Sequence, residues 1–414
     1  MVFAIIATQK WQCNCMDIKT AFLQGRNFNR LVYLTPPSEA KTDKNLVWKL
    51  NKCVYGLNDA SRVWYLTVRD QLLNSGARVS KYDEAIFTWY FDGQLQGIMC
   101  THVDDFLWAG TSLFELRVID KIRKDFIVKS EESRVFKYLG LDIIQNHSGI
   151  SIKQDDFVKT LSLLDSGTAY DIESQMSEMQ TTQCRSLIGK INWLATQTRP
   201  DLSYEVSDLS SQLKSGKVEV IKSINKVIRK AKKEASIINI PSLADATKIS
   251  LVGYSDASFA NLSDGGSQGG YIIFAIGSNG MHVPIAWQSR RVRRLVKSTQ
   301  AAETLATVDA AEACIYYRMF LIDLLNLKDV AETMPITCKT DNSGVYSSVY
   351  SSTQILDKRL RIEMAILREL LEKREINTLQ WVPTDYQIAD SLTKGGVPSS
   401  KVLEHTSSSG TCIA

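Results

Sequence analysis

Two carboxylates stand side by side in the stretch IMCTHVDDFLWAG, at Asp104 and Asp105. Short apolar runs flank them, Ile98 to Val103 and Phe106 to Ala109, of the kind that form strands. A hairpin bending at this pair puts both acids at its tip, where like charges repel and resist desolvation. Asp is a common turn residue, so an exposed turn is the plainer reading. A divalent cation is the usual reason for tolerating the repulsion, because carboxylate oxygens are hard ligands suited to magnesium. Asp17 in CMDIKTAFL, at the end of another strand-like run, is the candidate third acid. A strand-end Asp beside a hairpin carrying Asp-Asp would hold two magnesium ions. One would activate a hydroxyl, and the other would clamp a triphosphate and its leaving group.

The elements that position these acids must come from a chain of 414 residues, enough for two or three domains at about 150 residues each. A hydrophobic share of 44% is ordinary for globular cores. The net charge of +4 is too mild to diagnose a nucleic-acid binder by itself, so local clusters must carry any such reading. Eight cysteines are scattered without paired CxxC spacing, which argues against a zinc site or a disulfide framework and for a reducing compartment. The opening run MVFAIIA lacks a basic leader and is far too short to span a bilayer.

Residues 1–150 mix short strand-like runs with a helix near Ser61 to Leu73, and residues 151–213 read as helical. The stretch VEVIKSINKVIRKAKKEASIINI has a helical period, with Val220, Ile224, Val227, Ile228 and Ala231 on one side and lysines and Arg229 mostly on the other. From about residue 246 the pattern changes. KISLVGYSDAS is a strand ending in an acid, and a hairpin turning at Asn279-Gly280 follows. A long helix from Ser298 to Leu325 carries the stripe Ala301, Leu305, Val308, Ala311, Ile315 and Ile322, with Glu303 off it. A strand before Asp341, an amphipathic helix and a last strand leading into a short helix complete this region, and the Ser-rich end reads as loose.

MDIKTAFLQG, VWKLNKCVYGLNDASRVWY, HVDD, FKYLGLDI and RSLIGKINWLATQTRPDLSY stand in the order found in copia-type retrotransposon reverse transcriptases, which nearly the whole chain resembles. The resemblance implies a mixed, multidomain fold, α+β and α/β. A reverse transcriptase palm would occupy residues 1–150 and thumb or connection helices 151–245. A ribonuclease H-like α/β domain would follow over 246–398, then a flexible tail over 399–414. It makes Asp17, Asp104 and Asp105 the metal-binding acids of the palm. Phe22 becomes the residue under the nucleotide sugar, and Tyr55 and Gly56 line the nucleotide pocket. His102 stands where the family has Tyr. The family also carries a fingers subdomain upstream with cations that grip the triphosphate, and only sixteen residues precede Asp17 here. An N-terminally truncated segment with weak or no polymerase activity is therefore expected.

The distal half resembles the ribonuclease H domain of the same elements, with Asp256 in GYSDAS, Glu303 in STQAAETLA, Asp341 in CKTDNSG and Asp390 in QIADSLTK. The resemblance implies that these four hold two magnesium ions, with manganese as the alternative, and direct a water at the scissile phosphate. The loop VPTDYQ before Asp390 offers no histidine, so slower turnover is expected. Arg290, Arg291, Arg293, Arg294 and Lys297 lie just before the Glu303 helix, placed for phosphate contact or as a solvated face. The implied partners are an RNA template, a DNA primer, RNA–DNA hybrid, deoxynucleoside triphosphates and other parts of a Pol polyprotein. The implied setting is cytoplasmic, inside a virus-like particle, with no membrane. A ribonuclease H hydrolase with an inert polymerase half is the first alternative, and a nonenzymatic hybrid-binding remnant is the second.

Overall fold

A computed structural model of the chain describes residues 1–27, 30–43, 45–165, 174–262, 264–327, 334–351 and 355–408. It divides into two compact units, one of Trp11–Leu139 and one of Met1–Lys10 with Gly140–Ala414. The first ten residues, expected in the palm, therefore fold with the distal unit, and regions 151–245 and 246–398 share that unit.

In Trp11–Leu139 six antiparallel strands form one sheet. In chain order they are β1 (Asn14–Ile18), β2 (Arg78–Val79), β3 (Ile86–Phe91), β4 (Gln94–His102), β5 (Asp105–Gly110) and β6 (Val128–Ser133). Their spatial order is β2-β3-β4-β5-β1-β6, so the strand carrying Asp17 lies directly beside the hairpin strand carrying Asp105. Helix α1, Val2–Thr8, belongs to the other unit, and α2 spans Ala60–Asn74. Ala60, Trp64, Val68 and Leu72, four apart, form the buried face of α2. They join Phe87, Trp89, Met99, Phe106 and Phe114 in one core. A Cβ added at Gly97 or Gly110 would come within 2.3 Å of the Phe114 ring, so these two glycines make the groove that seats it.

The other unit starts from three antiparallel strands, β7 (Leu141–Asn146), β8 (Gly149–Lys153) and β9 (Ile238–Pro241). The helical reading of 151–213 holds over Asp155–Thr160, Glu178–Gln197 and Ser203–Gln212 and fails at its start, 151–153, and the helical reading of the IINI stretch fails as well. Ile150, Ile152, Ile238 and Ile240 alternate inward on a sheet, and period-two burial outweighs the helical pattern on either side. Helices α3 (Glu178–Gln197), α4 (Ser203–Gln212) and α5 (Glu219–Lys233) pack around Leu187, Ile191, Leu209, Ile224 and Ile228. Helix α3 opens with a capping box, in which Ser177 and Gln180 satisfy each other's backbone amides. Arg199 is fully enclosed: its guanidinium grips Asp201 and donates to the Ala231 and Glu234 carbonyls, closing the end of α5.

A five-stranded sheet completes the unit, built from β10 (Ser250–Ser258), β11 (Gln268–Ile276), β12 (His282–Arg291), β13 (Ile336–Thr340) and β14 (Thr378–Trp381). Its order is β12-β11-β10-β13-β14, antiparallel on the hairpin side and parallel from β10 through β14. Helix α6 (Thr299–Leu325) packs on β10 and β11. Its inward face runs through Ala302, Glu303, Ala306, Ala310 and Cys314, while Ala301, Leu305 and Ile315 of the expected stripe are only half-buried. Small residues win that face because the helix must come close to the sheet. A Cβ at Gly253 would meet the Cys314 sulfur at 2.7 Å. Helices α7 (Ser343–Tyr350) and α8 (Lys358–Glu372) follow. The end expected to be loose instead forms helix α9 over Ser400–Ser407, because Val402 and Thr406 are fully buried. The rest of the expected tail, 409–414, lies outside the described residues.

Candidate active sites

In Trp11–Leu139 the β-register sets Asp17 directly opposite Asp105. His102 pairs with Asp105, so Val103 and Asp104 alone make the turn. The Ile18 amide donates to the Asp104 carbonyl at 2.9 Å, and the Trp64 indole to the Val103 carbonyl at 2.5 Å, anchoring the tip from both sides. Burial, followed by the neighbouring Asp104 and Asp17 charges, holds the Asp105 carboxyl above its ordinary value. Lys129 on β6 places its ammonium 2.6 Å from Asp17 Oδ2. That lysine was not singled out in the sequence, where it stands only as a lone base before an acidic run. Phe22 is buried, with its ring 4.6 Å from that of exposed Tyr55, and Gly56 follows at φ +97°.

Val103 holds φ +53°, a left-handed conformation that a β-branched residue adopts only under constraint. The residue is 37% exposed, so little packing depends on it. Val103→Gly is expected to stabilise the chain by about 1 kcal/mol by relieving this strain. A urea midpoint unchanged or lowered in the variant would count against strain at the tip.

The distal acids converge more tightly. Asp256 lies inside β10, Glu303 on the first turns of α6 and Asp341 just beyond β13, and one ligand atom from each lies within 4.8 Å of the others. Glu303 accepts the Ala257 amide at 3.1 Å. Asp341 is held twice from the β14 side: Trp381 Nε1 donates to its carbonyl at 2.9 Å, and Thr384 Oγ1 to its Oδ2 at 2.9 Å. Asp390 opens a 3-10 turn rather than an α-helix and stays outside the three-acid group. Its carboxylate meets Lys394 Nζ at 2.6 Å, and the same ammonium lies 3.7 Å from Asp256 Oδ2, which also accepts the Thr393 hydroxyl. Thr384, Thr393 and Lys394 were missed in the sequence, although the last two adjoin the recognised Asp390.

Burial pushes the Asp256 carboxyl up to about 6, partly offset by Lys394 and Thr393. Burial, then the Asp256 and Asp341 charges, pushes Glu303 up to about 9. Two buried carboxylates and a half-buried third, with too little positive charge around them, fit a hard divalent cation, magnesium or manganese.

Of the five basic residues at 290–297, three are already engaged. Arg290 pairs with Asp309 at 2.8 Å, Arg291 with Asp264 and Arg294 with Glu363. Arg293 and Lys297 are exposed and have no ion pair among the described residues. Replacing these two by Ala is therefore expected to lower the slope of log affinity against log salt for hybrid binding by about 1.8, at about 0.9 per lost phosphate contact. The triple change at Arg290, Arg291 and Arg294 is expected to lower it less. The reverse ranking in a salt titration would remove Arg293 and Lys297 from the interface.

Fold and sites together define a chain in which a sheet bearing paired acids at a hairpin tip is followed by a five-stranded mixed α/β sheet that gathers three acids. Residues 1–169 match the family described as reverse transcriptase (RNA-dependent DNA polymerase). Over 418 residues the chain is 27% identical to the retrovirus-related Pol polyprotein from transposon RE1 of Arabidopsis thaliana, a match covering 95% of this chain and 27% of that protein. It is 24% identical over 423 residues to the Pol polyprotein from transposon TNT 1-94 of Nicotiana tabacum, covering 95% and 30%. The solved foamy viral protease-reverse transcriptase in complex with RNA/DNA hybrid shares the fold at a TM-score of 0.53 and 14% identity, over 90% of this chain and 44% of that one. The chain is thus similar over nearly its whole length to retrovirus-related Pol polyproteins of plant transposons, with residues 1–169 matching the reverse transcriptase family, and it spans 27% of the first of those relatives. Among the described residues no helix is long and apolar enough to cross a membrane.

Proposed function

We propose that this chain is the RNA-directed DNA polymerase and ribonuclease H segment of a retrotransposon polyprotein, and that its distal unit cleaves the RNA strand of RNA–DNA hybrids. The observation that carries the reading is the convergence of Asp256, Glu303 and Asp341, from a strand, a helix and a second strand, within 4.8 Å. Bound divalent cations would supply an activated water and stabilise the leaving oxygen. Asp256, Glu303 and Asp341 would hold them, with Asp390 alongside. Trp381 and Thr384 keep the Asp341 carboxylate aimed, and the Ala257 amide does the same for Glu303. Glu303, with its carboxyl raised to about 9, must release a proton to bind a cation.

In the other unit Asp17, Asp104 and Asp105 would hold the cations of the polymerase reaction, with Phe22, Tyr55 and Gly56 against the incoming nucleotide. Partners on this reading are template RNA, primer DNA, their hybrid, deoxynucleoside triphosphates and the rest of the polyprotein, inside a cytoplasmic particle. A labelled RNA–DNA hybrid incubated with the full chain, in magnesium and then in EDTA, tests the reading. No metal-dependent shortening of the RNA strand would overturn it.

A further inference from the structure

Two consecutive residues close the distal acid cluster from the far end of the chain. Thr393 donates its hydroxyl to Asp256 Oδ2 and accepts nothing from the acids, so it orients that oxygen without adding charge. Lys394 does add charge. Its ammonium stands between Asp390 Oδ1 at 2.6 Å and Asp256 Oδ2 at 3.7 Å, bridging the one acid that stays outside the group to one that lies inside it. Asp256 also belongs to the three-acid group with Glu303 and Asp341, one ligand atom of each lying within 4.8 Å of the others. The cluster is therefore unevenly compensated: Asp256 and Asp390 share an ammonium supplied by the chain, whereas Glu303 and Asp341 have no ion pair among the described residues.

We propose that Lys394 is a built-in counterion that occupies the place of a second divalent cation between Asp256 and Asp390. The distal site then takes one divalent ion readily, and a second only when the ammonium swings away. The inference rests on the proposed metal-binding role of these acids. The side chain is 40% exposed, so it has solvent to move into without disrupting packing. A unit charge at about 4 Å repels an incoming divalent ion, so its removal should be felt in affinity. Lys394 thus sets how many ions the site holds at a given magnesium concentration, and it separates a one-ion resting form from a two-ion form.

The test is the stoichiometry of manganese binding by the full chain at neutral pH, read by electron paramagnetic resonance of free Mn2+ and by calorimetry. A background carrying Asp17→Asn and Asp104→Asn silences the other acidic site. In that background the parent chain is expected to bind one equivalent tightly and a second at least about tenfold more weakly. In K394M the second equivalent should tighten about tenfold or more, K394Q should behave likewise, and K394R, which keeps the charge, should bind like the parent. Two equivalents of equal affinity in the parent, unchanged in K394M and K394Q, would overturn the counterion role and leave the metal site standing. No manganese bound by parent or variants would overturn the metal site itself, and the counterion role with it.

Discussion

Asp341→Asn should abolish cleavage of the RNA strand in a labelled RNA–DNA hybrid, with a loss of at least about a hundredfold in rate, or roughly 3 kcal/mol of transition-state stabilisation. The effect should be this large because Asp341 sits where nothing can replace it. Its backbone carbonyl is pinned by Trp381 and its carboxylate by Thr384, so an amide at this position stays in place and presents a weaker, partly cationic edge to a metal. A change that keeps shape and removes charge separates chemistry from folding. Asp104→Asn in the other unit is the control: it leaves these distal contacts untouched, and cleavage should persist. A folded Asp341→Asn chain that cuts as fast as the parent would remove the distal acids from the reaction.

Glu303→Gln should have the largest effect on stability, and its sign depends on pH. The Glu303 carboxyl stands at about 9 in the folded chain against 4.5 as its ordinary value, so between those values the metal-free folded state holds a proton that the unfolded state has released. The stability this proton contributes is complete below about 4.5 and is lost as pH rises through about 9. Asp256, raised from 3.8 to about 6, adds the same trend at lower pH. Gln keeps the neutral form at every pH. The variant should therefore melt close to the metal-free parent in acid and increasingly above it in alkali, as followed by circular dichroism across the range. Magnesium should reverse the order in alkali, because only the parent can give up the proton and take the ion. A gap between the two proteins that does not change with pH would mean that Glu303 is not an uncompensated buried acid.

Much of this was legible in the sequence, and the reasons differ by element. The hairpin at Asp104 and Asp105 was visible because two apolar runs of strand length bracket an acidic pair, and the structure bends there. The β11–β12 hairpin was visible from Asn279-Gly280, whose conformational freedom marks a turn. The buried face of α6 was read only in part: Val308, Ala311 and Ile322 of the expected stripe are buried, but the close helix–sheet approach at Gly253 selects Ala302, Ala306 and Ala310 rather than Ala301, Leu305 and Ile315. The expected stripe also put Glu303 on the wrong side. The basic run at 290–297 looked uniform in sequence, yet Asp309, Asp264 and Glu363, which neutralise three of its members, lie up to 69 positions away. Thr384 and Thr393 could not be read for the same reason, since Asp341 and Asp256 lie 43 and 137 positions away; Lys394 has Asp390 four residues before it, but its approach to Asp256 is set by the fold.

The closure of the distal site by Thr393 and Lys394 also bears on how the protein is made. Asp256 and Lys394 are 138 positions apart, and the parallel strands between them pair only after long connections. At roughly 5–20 residues per second, a ribosome needs about 7–28 s to pass from one to the other. Through that interval the growing chain carries Asp256 without the threonine and ammonium that later compensate it. The distal acid group is thus compensated long after its first member is made, and a ribosome that stalls between Asp390 and Lys394 leaves all four acids present without the ammonium that bridges two of them.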